Sequence, residues 1–282
     1  TKTRLAEFKK VIARYYAKNN KLPCPADGTK IFGDANHGRS VVDANTGSCV
    51  GLAASGGVVR TETAPGSGIW MRQGTIPNRT LGMSDDMMYD EFNMKYTYVV
   101  MEQFTDAPVT SDGSIIINDG AGSSPTDTTH YFTDKAVYLI LTHGKDRIGS
   151  YSPAGTVNPC TNKTALERDA ENCNNDTIFS SGHYNDLERE SPEWFDDILG
   201  WVSKDELAGV SAASSGGCGY TFYVDSSNGS TVPHFTRPTG VTNFRVLAIG
   251  GGGGGGSSNG ATSPYSYNTS GGGGGSGYVS VG

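Results

Sequence analysis

Two groups of side chains contain the residue types that acid–base catalysis uses. They are His143, Lys145 and Asp146, and His183, Asp186 and Glu188. A histidine beside a carboxylate or an amine can exchange protons with a substrate near neutral pH. The sequence has no Gly-x-Ser-x-Gly elbow, Walker loop, His-Glu-x-x-His motif or dinucleotide fingerprint. We therefore expect a protein that is not an enzyme, with structural or exposed histidines.

A cluster of four carboxylates is a candidate calcium site, because closely spaced carboxylates suit that ion. Its members are Asp85, Asp86, Asp90 and Glu91. The alternative is a solvated acidic turn that binds nothing. No other cofactor is expected.

The five cysteines, at positions 24, 49, 160, 173 and 218, are scattered through polar sequence. None belongs to a Cys-x-x-Cys pair or has a histidine at zinc-ligand spacing. Such cysteines favour disulfides in an oxidising compartment. Local pairing predicts Cys24–Cys49 and Cys160–Cys173, each closing a short loop that has few apolar residues. Cys218 then remains as a buried free thiol, a thiol whose partner is missing, or half of an intermolecular bridge.

Composition divides the 282 residues into two parts, because most of the excess among the 40 glycines follows residue 250. We predict one domain over residues 1–208, a linker over 209–218 and a glycine-rich domain over 219–282. The net charge of -7 argues against nucleic acid or an anionic membrane surface as a partner. No run of apolar residues is long enough to span a bilayer.

The candidate catalytic and calcium-binding residues must be positioned by helices and strands. The clearest of these elements in the sequence is an amphipathic helix at the start of the chain. Its apolar stripe recurs every three or four residues and consists of Leu5, Phe8, Ile12 and Tyr15. Pro23 and Pro25 prevent its continuation beyond Asn20. Since the helix begins at the first residue without a cap, we interpret it as part of a longer helix.

A β-rich layer should cover that stripe. Apolar and β-branched runs predict strands at residues 95–102, 114–118 and 136–142, with the last of these at the centre of the sheet. A short helix or turn is expected within residues 85–94, and a closing strand within 191–207.

Four segments together resemble the type IV pilin and type II secretion pseudopilin class, in the minor-pilin branch with a Leu-Pro-Cys-Pro-Ala motif. Segment one (21–27) contains that motif, and segment two (74–100) contains Gly-Thr-Ile-Pro-Asn-Arg-Thr-Leu-Gly and Lys-Tyr-Thr-Tyr-Val-Val. Segment three (141–151) contains Leu-Thr-His-Gly-Lys and Gly-Ser-Tyr. Segment four (195–203) is Phe-Asp-Asp-Ile-Leu-Gly-Trp-Val-Ser. The resemblance implies an α+β fold with a pilin-like N-terminal helix packed on an antiparallel sheet. It also implies that the membrane-anchoring half of the helix is missing.

Glycine runs at 250–256 and 271–275 frame a polar loop near the end of the chain. This arrangement resembles glycine-rich domains of phage tail-fibre adhesins and bacterial surface proteins, which implies a small all-β module. The module stops at residue 282 and is interpreted as incomplete. The loop residues suited to recognition are Asn259, Tyr265, Tyr267 and Asn268. The alternative is a disordered low-complexity tail.

These resemblances predict a minor pilin-like subunit of a type IV filament or secretion pseudopilus, with a C-terminal module for adhesion or recognition. The expected partners are other pilin subunits, further copies of this chain, and a host or environmental surface, glycan or phage. The expected location is the cell surface or an extracellular filament, after a stage in the bacterial inner membrane. The alternative is a secreted or phage-derived carbohydrate-binding protein that is not part of a filament.

Overall fold

The computed structural model describes residues 1–118, 130–160, 168–181 and 195–215. It has an α+β fold, as predicted. Its helices are α1 (Lys2–Asn19), α2 (Arg168–Glu171) and α3 (Lys204–Ser215), with two 3₁₀ turns at Asp85–Met88 and Glu102–Thr105. Its strands are β1 (Val59–Glu62), β2 (Trp70–Thr75), β3 (Thr97–Met101), β4 (Ile115–Asn118), β5 (Tyr131–Thr142), β6 (Ile178–Ser180) and β7 (Ile198–Ser203).

The seven strands form one curled sheet in the order β1-β2-β3-β5-β4-β6, and β7 also pairs with β5. The predicted central strand is confirmed, since β5 pairs with β3, β4 and β7. The prediction of an antiparallel sheet is wrong in one respect. β6 runs parallel to β4, with Ile116 opposite Ile178, so the sheet is mixed.

Helix α1 covers one face of the sheet through its apolar stripe. Leu5, Phe8 and Ile12 are buried, and the Phe8 ring meets the edge of Tyr96 at 5.0 Å between centroids. The helix ends as the sequence predicts. Asn20 adopts a left-handed conformation (φ 55°), and its N–H donates to the Tyr16 carbonyl, as residues that terminate helices commonly do. No helix in the described ranges is long and apolar enough to cross a membrane.

The second face of the sheet is covered by the segment that follows β5. Successive strand side chains point to opposite faces, so Thr97 and Val99 of β3 point away from the face that Tyr98 shares with α1. The covering segment is attached to the sheet where the Lys95 N–H donates to the Tyr151 carbonyl at 2.8 Å. The sheet is therefore enclosed on both sides, by a helix on one face and by loops on the other.

Both predicted disulfides are present. Cys24–Cys49 closes a loop of 25 residues and Cys160–Cys173 one of 13, with Cα–Cα distances of 6.1 and 6.0 Å that are ordinary for disulfides. The first bond joins two points of the long loop between α1 and β1. The second bond closes the segment that covers the second face of the sheet.

The loop closed by Cys24–Cys49 ends beside a buried ion-pair network. Arg72 and Glu102 are 1% and 3% exposed and meet at 2.8 Å, and Arg60 joins the same carboxylate at 2.7 Å. The Gly51 N–H donates to Glu102 at 2.8 Å, and Arg72 also donates to the Leu52 carbonyl. The network thus fixes the loop against β2.

Helix α3 bears on the stretch predicted as a linker, while the division into domains stays a prediction. It extends to Ser215 and so includes most of residues 209–218, which were predicted to be a linker. Leu207 is buried in the core, and Glu206 pairs with Lys9 of α1 at 3.2 Å. Residues 216–282 lie outside the described residues, and with them the glycine-rich module, Cys218 and the candidate recognition loop.

Candidate functional site

The four segments that carry the pilin resemblance are in contact with one another. The first and second are joined by two backbone hydrogen bonds of 2.9 Å between Ala26 and Thr75. The second and third meet where the Thr142 hydroxyl donates to the Asp90 carboxylate at 2.5 Å. The third and fourth meet where the Lys145 N–H donates to the Asp196 carboxylate. We call these contacts the motif network.

His143 is a buried member of the motif network. Its side chain is 1% exposed, and its Nε2 atom lies 3.0 Å from the Thr97 hydroxyl. Burial lowers the pKa of His143 to about 3, so the ring is neutral at physiological pH. The side chain of Lys145 is exposed, and Asp146 accepts a hydrogen bond from the Ile148 N–H at 2.9 Å. A histidine enclosed in this way has no route for exchanging protons with a substrate.

The other acid–base candidates, His183, Asp186 and Glu188, lie outside the described residues. No mechanism of catalysis follows from the residues that the structure describes.

The candidate calcium ligands have other partners. Arg79 donates twice to Asp85 at 2.8 Å, and this ion pair lowers the pKa of Asp85 to about 2. Asp90 accepts hydrogen bonds from Thr142 and from the Phe92 and Met94 N–H groups. Within residues 1–118, 130–160, 168–181 and 195–215, no three His, Cys, Asp or Glu side chains form a group able to hold a metal ion.

Lys95 connects the loop after α1 to the core. Its ammonium is 1% exposed and donates to the carbonyls of Gly28 at 2.8 Å and Lys30 at 2.6 Å. Burial lowers the pKa of Lys95 to about 8, although Asp27 opposes the shift. The lysine therefore holds the backbone of residues 28–30 against the core.

A cleft of about 260 Å³ lies on the second face of the sheet, where β1 and β2 face the disulfide-closed segment. Its walls consist of Gly57, Val59, Gln73, Gly74, Thr97, Gly149, Tyr151, Val157, Asn158, Pro159, Cys160, Cys173 and Asn175. None of these residues is charged. We call it the disulfide cleft.

The polar groups of the disulfide cleft differ in how they are held. The amide of Asn158 donates to the Arg147 carbonyl at 3.0 Å, which fixes the side chain. Gln73 is 8% exposed, and its Oε1 atom is buried without a hydrogen-bond partner. The Tyr151 ring is fixed because it lies against Gly28, where a Cβ atom would come within 2.4 Å of the ring. The cleft is thus a built cavity, and the Gln73 amide oxygen behind its wall has no hydrogen-bond partner.

A pair of carboxylates lies beside the cleft. Asn174 donates to Glu171 at 3.1 Å and to Asp176 at 3.0 Å, so one amide holds both groups. Burial, and secondarily the charge of Asp176, raise the pKa of Glu171 to about 7. The cleft wall next to Cys173 therefore borders a group that changes its charge near neutral pH.

Comparison with known proteins finds no match, since no family model, curated protein or solved structure is significantly similar to this chain. The chain's function is therefore inferred from its own residues and geometry.

Sequence reasoning missed the disulfide cleft entirely. Gln73, Tyr151 and Asn175 come from three distant parts of the chain, and no spacing rule connects them. The only local signal was the cysteine pair Cys160–Cys173, which predicted a closed loop but not the surface that this loop would cover.

Proposed function

We propose that this chain is a non-enzymatic, minor pilin-like subunit of a type IV filament or secretion pseudopilus. The observation that carries the proposal is the motif network. Segments as far apart as Ala26, Thr142 and Asp196 belong to one set of contacts, which is the behaviour expected of residues that define a common fold. In this proposal the subunit passes through the inner membrane and then resides in a filament at the cell surface.

The outer face of α1 supports a packing role. The exposed residues on this face include four basic ones, namely Lys2, Lys10, Arg14 and Lys18. The whole chain is acidic, with a net charge of -7. A basic helix face on an acidic protein complements the acidic surface of a neighbouring copy or of another pilin subunit.

The test is to express the tagged full-length protein in its own cells and to ask whether it is recovered with sheared filaments. The charge-reversal pair Lys10→Glu and Arg14→Glu should lower recovery without unfolding the protein, because both side chains are exposed. Lys135→Glu is the matched control, since Lys135 is exposed but lies on β5. Absence of the wild-type protein from filaments would refute the proposal.

The adhesive role of the glycine-rich module is the second part of the proposal. Deletion should begin after Ser215, since an earlier cut would remove part of α3. Loss of binding to cells, surfaces or phage with filaments intact would support the division of roles. Loss of filaments without a separate binding defect would place the module in assembly.

The rival proposal is a secreted or phage-derived carbohydrate-binding protein outside any filament. The codons upstream of Thr1 separate the two. A short basic leader, a glutamate at the fifth mature position and about 20 apolar residues would favour the filament. A conventional cleavable signal peptide would favour the rival.

A further inference from the structure

We propose that the disulfide cleft binds a neutral sugar residue. This site is built from residues 57–175 of the α+β body and does not depend on membership of a filament. The size, charge, polar groups and rigidity of the cleft each point to this class of ligand.

Size and charge restrict the ligand first. A cavity of about 260 Å³ is slightly smaller than the ~300–1,000 Å³ that holds drug-sized molecules, so it suits a single ring. The wall residues that the structure describes carry no charged side chain, and the neighbouring Glu171 and Asp176 are acidic. Phosphates and carboxylates would therefore be repelled, which excludes nucleotides and acidic sugars.

The polar groups indicate hydroxyls as the ligand's functional groups. The Gln73 side chain lines the cleft, although its Oε1 atom is removed from solvent and has no hydrogen-bond donor, so the side chain must turn toward the cleft for a ligand to satisfy it. A sugar hydroxyl donates and accepts at once, so it can satisfy an amide such as Gln73 or the exposed Asn175. The apolar C–H face of the same ring would pack against Tyr151 and Val157.

Rigidity makes the cleft suitable for weak ligands. The Cys160–Cys173 bond and the contact of Tyr151 with Gly28 hold two walls before any ligand arrives. A preformed site avoids the entropic cost of ordering its own side chains. A single sugar should then bind with a dissociation constant on the order of 1 mM, and a longer neutral glycan should bind more tightly.

The test uses the full chain labelled with nitrogen-15 and a panel of neutral probes: glucose, galactose, mannose, N-acetylglucosamine and N-acetylgalactosamine. At least one should shift the amide resonances of Gly74, Thr97 and Asn158. N-acetylneuraminic acid should shift them less. If no neutral sugar shifts these resonances, or if the acidic sugar binds better, the proposal is wrong.

Two variants locate the site. Gln73→Met keeps the side-chain volume but removes the amide, and should weaken binding about tenfold or more. Val157→Trp, at the exposed rim, should block the cleft and abolish binding. Gln103→Met is the matched control, because Gln103 does not line the cleft, and its affinity should equal that of the wild type.

These variants also separate the cleft from the glycine-rich module. Sugar binding that survives both Gln73→Met and Val157→Trp would assign the ligand elsewhere and overturn the inference. A circular-dichroism melt verifies that each variant is folded. Recovery of the protein in filaments, the readout of the proposed function, is measured independently of this result.

Discussion

The guanidinium of Arg72 donates to the carboxylate of Glu102 at 2.8 Å, with both side chains almost completely removed from water. The same carboxylate also accepts hydrogen bonds from Arg60 and from the Gly51 N–H. Two positive charges and a backbone amide therefore depend on one buried acid, and together they fix the loop closed by Cys24–Cys49. Glu102 should therefore contribute more to the stability of the fold than an exposed acidic residue does.

Replacing Glu102 by leucine should lower the free energy of unfolding by about 3–5 kcal/mol, because it leaves Arg72 buried without a counter-charge. Urea denaturation measures the change. The control is Asp112→Asn, which breaks the surface pairs with Lys135 and Lys204 and should cost less than about 1 kcal/mol. Equal costs for the two variants would contradict the assigned role of Glu102.

Phe8→Ala should destabilise the protein by roughly 2–5 kcal/mol, because it opens a cavity between α1 and the sheet at a fully buried position. Lys10→Ala on the exposed face of the same helix should change stability by no more than about 0.5 kcal/mol. Chemical denaturation compares the two. A cost below that limit for Phe8→Ala would mean that the stripe is not a core element.

Breaking either disulfide should cost about 2–4 kcal/mol, and Cys24–Cys49 slightly more because it closes the longer loop. Paired Cys→Ser variants, compared by thermal unfolding under non-reducing conditions, measure the costs. Non-reducing peptide mapping tests the connectivity. A peptide joining Cys24 to Cys160 or to Cys173 would disprove the local pairing.

His143 should make the protein less stable in mild acid. Its pKa falls from 6.5 in the unfolded chain to about 3 in the folded one, so the unfolded chain binds more protons as the pH drops through this window. Stability should decrease by about 2 kcal/mol between about pH 7 and about pH 5 on this account. His143→Gln cannot titrate, so its denaturation midpoint should depend less on pH over that range. An unchanged slope would show that the ring is solvated.

Glu171 should have the opposite effect. Its pKa rises from 4.5 in the unfolded chain to about 7 in the folded protein, so its contribution is fully present below the first value and is lost as the pH rises through the second. Glu171→Gln should match the wild type near pH 4 and exceed its stability by about 3 kcal/mol near pH 8. Asp86→Asn serves as the control, since Asp86 is exposed on the 3₁₀ turn at Asp85–Met88 and does not line the cleft. A Glu171→Gln variant that is less stable at both pH values would refute the assignment.

The elements that the sequence predicts well are those with a local signal. The stripe of α1 has a clear helical period, and the unbroken apolar run of β5 can only be a buried strand. By contrast, β2 contains Arg72 and Gln73, whose polarity conceals a strand that is nonetheless buried. The charge of Arg72 is tolerated there because Glu102 approaches from a distant position, which no local pattern records.

Two further differences have physical causes. The sequence predicts a linker over residues 209–218, and in the structure α3 continues to Ser215. Alanine is a strong helix former, and the helix is supported by Leu207 in the core and by the contact of Glu206 with Lys9. β6 has only three residues, and it lies far along the chain from β4, the strand with which it pairs in parallel. The disulfide cleft depends on the same long-range contacts, so it could not be predicted from spacing.

The shared position of β5 means that one edge of this strand stays unpaired until a much later part of the chain has emerged. β5 is complete at Thr142, but its partner β7 ends only at Ser203. One edge of β5 therefore stays unpaired while about sixty further residues are synthesised, which takes roughly 3–12 s. Long-range pairing of this kind is intrinsically slow. The nascent chain is most prone to aggregation during that interval, and a chaperone that shields Val137–Leu141 would protect it then.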